Sequence, residues 1–200
     1  MAYNFEFKIF IKRFFLLLSA LFFLACLKGE AYIPAEASRL EKGEVITKIL
    51  PLAAKDGVKG AEASIFIAAP PEKIWNILFN QENLPKLAPK FKEVNIIEKN
   101  NNYQKVQVAL KVSSLLPTFR YTMYLDTSEK YKRVKFSRIE GAFKKLYGSY
   151  ELEPYQNGTI LTYRMFIDMG FFVPDFIYNE GLKKDLPEIL GAIKTASESN

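Results

Sequence analysis

Three rhythms of apolar and polar residues follow one another along this chain. An apolar run fills Phe14 to Leu27, strict alternation dominates the middle, and three- and four-residue steps close the sequence. In the middle part, Ile65 and Ile67 share one face and Phe66 takes the other, which predicts a strand over 62–68. Pro70 ends it, because proline has no N–H for a ladder, whereas Pro71 suits the first turn of a helix. Ile74, Trp75, Ile77 and Leu78 then give a helical apolar face over 71–79, and Asn80 to Lys90, bounded by Pro85 and Pro89, reads as a short helix or loop. Alternation resumes at Lys92–Glu98. It continues through Tyr103–Val112, with Val106, Val108, Leu110 and Val112 on one face, and Thr118–Thr127, with Phe119, Tyr121, Met123 and Leu125 on one face. Period two of this kind is that of antiparallel sheet with one wet side. Tyr131–Ile139, Phe143–Glu153 and Thr159–Asp168 complete the set, separated by Gly141-Ala142 and by Asn157-Gly158, a hairpin signal.

The closing rhythm places Leu182, Leu186, Ile189, Leu190, Ile193 and Ala196 on one stripe of a helix. Pro187 predicts a kink or restart there, with Asp185 placed to cap the second part. An amphipathic helix of this length has to bury its stripe, and antiparallel strands offer it a concave face. The prediction is an α+β fold, a curved antiparallel sheet of six or seven strands wrapped around a long C-terminal helix. Trp75, Leu186, Ile189, Leu190 and Ile193 anchor helix to sheet. Where the two do not fully close, the space between them becomes a pocket.

Residues 32–61 form a polar lead-in, with a short helical turn ending at Gly43 and a small strand over Val45–Leu50; the main domain is predicted over 62–197. Residues 1–31 read as an export signal. Lys8, Lys12 and Arg13 precede an apolar run of the length of a signal core, shorter than a spanning helix needs, and Gly29-Glu30-Ala31 suits a peptidase. Ala35-Glu36-Ala37 is a second cleavage candidate. An uncleaved anchor, or acylation of Cys26 in a loose lipoprotein box, is the alternative. The expected location is therefore periplasmic or secreted. Loss of residues 1–31 takes away four basic and two acidic residues, lowering the net charge from +6 to +4.

Three stretches resemble the START-like superfamily, also called SRPBCC, whose fold is the helix-grip. They are ASIFIAAPPEKIWNIL at residues 63–78, IEGAFKKLYGSYELEP at 139–154 running into the NGTILTYR hairpin, and KKDLPEILGAIK at 183–194. The nearest group is similar to the polyketide cyclase/dehydrase and coenzyme Q-binding proteins, over about residues 60 to 197. The resemblance implies a deep, largely apolar cavity under the C-terminal helix, used by relatives for lipids, quinones, polyketides or plant hormones.

The side-chain chemistry narrows the function. The sequence has no histidine, which removes Ser-His and Cys-His nucleophilic schemes and the commonest general base. No Cys-x-x-Cys, Gly-x-Gly-x-x-Gly or phosphate-loop pattern occurs, and no close carboxylate pair falls on one inner face. No cofactor and no metal are expected. The 17 Phe and 11 Tyr suit a thick core or an apolar pocket. Phe119, Tyr121, Met123, Val134, Phe136, Tyr150, Tyr163 and Met165, with Phe176 on the helix, are the inward candidates for binding a ligand; as plain core they would simply pack together. Arg138 shares the parity of Val134 and Phe136, so it either meets an anionic head group or reaches solvent at a strand end. Lys130, Lys132, Arg133, Lys135, Lys144 and Lys145 read as a solvated outer strand face, and no nucleic acid is expected. Leu115-Leu116-Pro117 and Phe171-Phe172-Val173-Pro174 are apolar loops that either fold over the core end or touch a membrane transiently, chiefly through Leu115, Leu116, Phe171 and Phe172.

The function expected is that of an exported binding or carrier protein for a hydrophobic small molecule (a lipid, isoprenoid or quinone-like compound) held between sheet and helix. A polyketide cyclase or dehydratase acting in the same cavity, using a tyrosine or arginine, and a ligand-free interaction domain with a filled core are the alternatives.

Overall fold

The computed structural model describes residues 34–50, 58–112 and 116–199. The predicted export segment with Cys26, and Leu115, lie outside the described residues. Among those residues the alternating segments form one antiparallel sheet. A helix α1 (Pro34–Glu41) and strand β1 (Ile46–Leu50) precede β2 (Lys59–Ile67) and α2 (Pro71–Phe79). A 3-10 turn (Gln81–Asn83) and α3 (Leu84–Leu87) then lead into β3 (Phe91–Lys99), β4 (Tyr103–Leu110), β5 (Phe119–Glu129), β6 (Arg133–Gly141), β7 (Lys145–Tyr155) and β8 (Gly158–Asp168). The long helix α4 (Asp175–Glu198) closes the chain.

The strand order is β1-β2-β8-β7-β6-β5-β4-β3, so successive hairpins run from β3 to β8 and the early strand β2 pairs with the last. The sheet has eight strands rather than six or seven. The additional strand comes from the lead-in: β1 lies antiparallel on β2, from Ile46 opposite Ser64 to Leu50 opposite Gly60. At five residues, ITKIL, it is too short for a clear alternation, and as an edge it has Ile46 as its one buried residue.

Glycine and bulges bend this sheet. A Cβ on Gly148 in β7 would sit 2.0 Å from the Arg164 carbonyl oxygen and 2.6 Å from the Phe136 ring, so only glycine lets β7 and β8 approach here. Register shifts interrupt β3–β4 and β5–β6, each bending its strand locally. The Asn157-Gly158 signal does mark a hairpin, but the loop is Gln156-Asn157, with Gly158 already paired to Tyr155. Gln156 takes the positive φ of 49°. Gly158 serves close approach instead, since a Cβ there would lie 2.3 Å from the Ile67 carbonyl.

The concave face is apolar, and the outer face carries the charges. Arg164 on β8 meets Glu62 on β2 and Glu151 on β7, the latter at 2.9 Å. Of the basic concentration read from the sequence, Lys135 meets Glu129 at 2.7 Å, Arg133 meets Glu151 at 3.5 Å and Lys144 meets Asp168 at 3.5 Å.

Helix α2 buries Ile74, Trp75 and Leu78, with Pro71 in its first turn as expected. The Trp75 ring lies almost parallel to Phe79 at 6.4 Å and meets Tyr131 edge-on at 5.9 Å. Helix α4 buries Leu182, Leu186, Leu190 and Ile193, and each such side chain contributes about 1.5–3 kcal/mol. It runs through Pro187 as one helix, so the expected restart is absent; Asp185 does not cap but faces Lys90. Its C-terminal end is fastened to the β2–α2 junction. Lys194 donates to the Phe66 carbonyl at 2.9 Å, and Glu198 accepts from the Ala68 N–H at 2.8 Å.

Candidate ligand-binding site

Between the first half of α4 and the concave sheet face the apolar packing leaves a cavity of about 390 Å³. This falls within the range of small-molecule sites. Its walls come from Tyr121, Met123 and Leu125 on β5, Phe136 on β6, Leu146 and Tyr150 on β7, and Tyr163, Met165 and Ile167 on β8. Tyr178, Leu182, Leu186 and Ile189 of α4 form the roof, and Leu84, Ala88, Lys90 and Phe91 form one end. Leu116 and the segment Met169–Pro174 also line it. Because Phe172 is 89% exposed while lining the cavity, this segment stands at its mouth.

Six of the residues singled out from the sequence therefore meet in one wall: Tyr121, Met123, Phe136, Tyr150, Tyr163 and Met165. Four do not. Phe119 is buried one layer away, its ring 5.1 Å from Phe143. Val134 belongs to the closed core. Arg138 keeps its parity, but β6 is ending there, and the guanidinium donates to the carbonyls of Gly141 at 2.7 Å and Ala142 at 3.1 Å. Phe176 is exposed, since six residues before Leu182 puts it roughly 120° off the helix stripe. Tyr178, four before Leu182, enters the cavity instead. Of the anchors, Trp75, Leu186, Leu190 and Ile193 are buried, whereas Ile189 is half-buried against the cavity.

The sequence reading missed Phe143 and three charged residues. The alternation predicts Phe143 at the start of a strand, yet it stands in the β6–β7 turn at φ 71°, a conformation uncommon for a bulky residue. This backbone sends its ring into the wall, 5.2 Å from Tyr121. Lys90, Asp185 and Glu188 are the charged lining residues. The signal for Asp185 was an acid inside an apolar stripe, between Leu182 and Leu186; nothing in the local pattern marked Lys90. The Lys90 ammonium contacts the Asp185 carboxylate directly and lies 3.5 Å from Glu188.

The tyrosines form one cluster. Tyr150 and Tyr163 stack with centroids 4.4 Å apart, and Phe136 lies 5.9 Å from each. The Tyr163 hydroxyl points to the Met165 sulfur at 3.4 Å, and Tyr178 donates to the Ile167 carbonyl at 2.8 Å. Burial raises all four phenols, Tyr121, Tyr150, Tyr163 and Tyr178. For Tyr163 burial is opposed by the Tyr150 hydroxyl and aided by the Asp185 carboxylate, and the result is about 12. The cavity thus holds phenols that keep their protons. The Tyr121 hydroxyl has no hydrogen-bond partner among the described residues.

The family model described as polyketide cyclase/dehydrase and lipid transport matches residues 67–194. The chain belongs to this family. The match to the polyketide cyclase/dehydrase and lipid transport family starts at the end of β2 and stops within α4, so it contains every wall of the cavity. No curated protein sequence matches the chain. Among solved structures, the chain is similar to the Zhui aromatase/cyclase from Streptomyces sp. R1128, with TM-score 0.61 and 16% identity over 70% of this chain and 94% of the other. A START superfamily protein from Mycobacterium smegmatis gives 0.60 at 15% identity, over 78% and 98%. A STAR-related lipid transfer protein fragment from Xanthomonas axonopodis gives 0.59 at 12%, over 76% and 99%. The fold is thus the START-like helix-grip. Among the described residues, no helix is long and apolar enough to cross a membrane, and no group of three or more acids or cysteines could hold a metal ion.

Proposed function

We propose that this protein binds and carries a hydrophobic small molecule, of lipid, isoprenoid or quinone-like character, in the cavity beneath α4. The observation that carries the reading is the cavity itself: an apolar space of about 390 Å³ that packing has left open, with three charged residues in its walls. The family description, which includes lipid transport, and the likeness to a lipid transfer protein support it. Transient membrane contact at the mouth, through Leu116, Phe171 and Phe172, belongs to the same reading, because ligand has to enter and leave there.

Gly181 provides a clean test. It lines the cavity one helical turn from Tyr178 and Asp185, and a Cβ there would meet nothing within 4 Å. Gly181→Leu should gain up to about 1 kcal/mol of helix stability while filling ligand space. Native mass spectrometry should then show a retained small molecule on the wild-type protein and several-fold less on the variant. Equal retention, or none on either protein, rejects the reading.

Export is the other part of the proposal, resting on the basic flank and apolar run of residues 8–27. N-terminal sequencing of the protein recovered from its native compartment should start at Tyr32; an intact Met1 in a soluble fraction contradicts it.

One observation favours a second reading as cyclase or dehydratase. Tyr163 feels the Asp185 carboxylate within the cavity, giving the tyrosine–acid pair that proton transfer needs. Against it, Asp185 is engaged by Lys90, and a phenol raised to about 12 is a poor base at neutral pH. A product whose formation stops in Tyr163→Phe with binding intact would favour this reading over carriage.

A further inference from the structure

Resting on the carrier reading, we infer that the cavity selects ligands by head-group charge, taking neutral hydroxyl- or carbonyl-bearing amphiphiles and refusing carboxylates. Three charged residues line the space. Lys90 is the cation among them, and it is already claimed by two acids: Asp185 in direct contact and Glu188 at 3.5 Å. Lys90 and Asp185 are about a quarter exposed, so solvent screens this pair only in part, and Glu188, at 40%, is screened more. Among the lining residues one ammonium stands against two carboxylates, an excess of negative charge, while the neighbouring Lys111 and Lys92 ammoniums are spent on the Leu116 and Pro89 carbonyls. A ligand carboxylate placed there would have to displace Asp185 from Lys90 or sit beside uncompensated acid, and either is costly in apolar surroundings.

The remaining polar groups point the same way. The phenol of Tyr121, free of protein partners among the described residues, donates to an oxygen without supplying charge. Tyr163 is an uncharged group beside Asp185. The Arg138 guanidinium, the other cation considered for an anionic head, is spent on the Gly141 and Ala142 carbonyls. The N-terminus of α4, a natural anion site, lies ten residues or about 15 Å from Asp185 along the helix, too far to offset the local excess. A neutral hydroxyl or ketone finds a donor in the Tyr121 phenol and an acceptor in Asp185, with no ion to desolvate.

Three ligands with the same chain separate the possibilities: oleyl alcohol, oleylamine and oleic acid, each titrated as a competitor of bound Nile red at pH 8.5, where the acid is ionised. The alcohol and the amine should displace the dye at concentrations about tenfold or more below the acid. In Asp185→Asn combined with Glu188→Gln, Lys90 becomes an unpaired cation, and the acid should gain about tenfold while the alcohol changes less than threefold. If that variant does not fold, the wild-type order decides alone. Equal displacement by all three, or an unchanged order in the variant, overturns the charge selectivity while leaving carriage intact. Failure of Nile red and all three ligands to bind overturns carriage and selectivity together.

Discussion

Tyr121, Tyr150 and Tyr163 carry their hydroxyls inside the protein, and burial is the leading reason that each holds its proton above the ordinary phenol range. For Tyr163 the folded value is about 12 against 10.0 for a free side chain. Between those two values the unfolded chain loses a proton that the folded chain keeps. Stability is therefore complete below about pH 10 and falls as pH rises toward 12, by roughly 3 kcal/mol for this residue. Urea midpoints measured from pH 8 to 11.5 should decline above pH 10, and the decline should be shallower in Tyr163→Phe. A wild-type profile as shallow as the variant's would show that this phenol titrates normally. Residues of this kind were legible: period two put Tyr121, Tyr150 and Tyr163 on inner faces, and the structure gathers them in one wall. Lys90 and Phe143 were not, because each owes its place to something alternation does not encode. Lys90 is placed by a partner 95 positions away, and Phe143 by a left-handed backbone in a turn.

Strand β7 depends on an absence of side chain. Gly148 faces the Arg164 carbonyl and the Phe136 ring so closely that even a methyl group has no room. Gly148→Ala should cost about 1–3 kcal/mol, as overpacking does, read as a lowered denaturant midpoint. Unchanged stability would mean that β7 and β8 separate easily and that the glycine is incidental. The elements were read well wherever one face is buried and the other wet. Boundaries slipped at turns, where hydrophobicity is uninformative: β6 begins two residues later than the pattern implied because Tyr131, at φ 64°, turns its ring to Trp75 instead of entering the strand. The helix stripe is legible in the sequence, whereas the restart that Pro187 predicts does not occur in α4. Proline removes one hydrogen bond from a helix, and in α4 the burial of Leu186 and Leu190 on either side favours a continuous helix all the same.

Seen whole, the molecule sets an apolar rim around the cavity mouth. Phe172 is 89% exposed, Phe171 54% and Leu116 38%, and all three line the same opening. An exposed cluster of this kind favours a lipid surface, and the basic excess of the chain favours an anionic one. Flotation with vesicles of phosphatidylcholine and phosphatidylglycerol should recover the wild type, and Phe172→Ser should lower the recovered fraction several-fold. Equal flotation of the two removes membrane contact from the reading. The rim is not the only place where such a molecule is open to association, because an unclosed sheet also ends in a strand with free backbone groups. β3 is one of its two edge strands; the β3 ladder to β4 is broken in two places, and Lys92, Glu93, Glu98 and Lys99 line its length. A bent, charged border is a poor template for a second copy. Along this border the sheet is therefore guarded against zipping onto a neighbouring one.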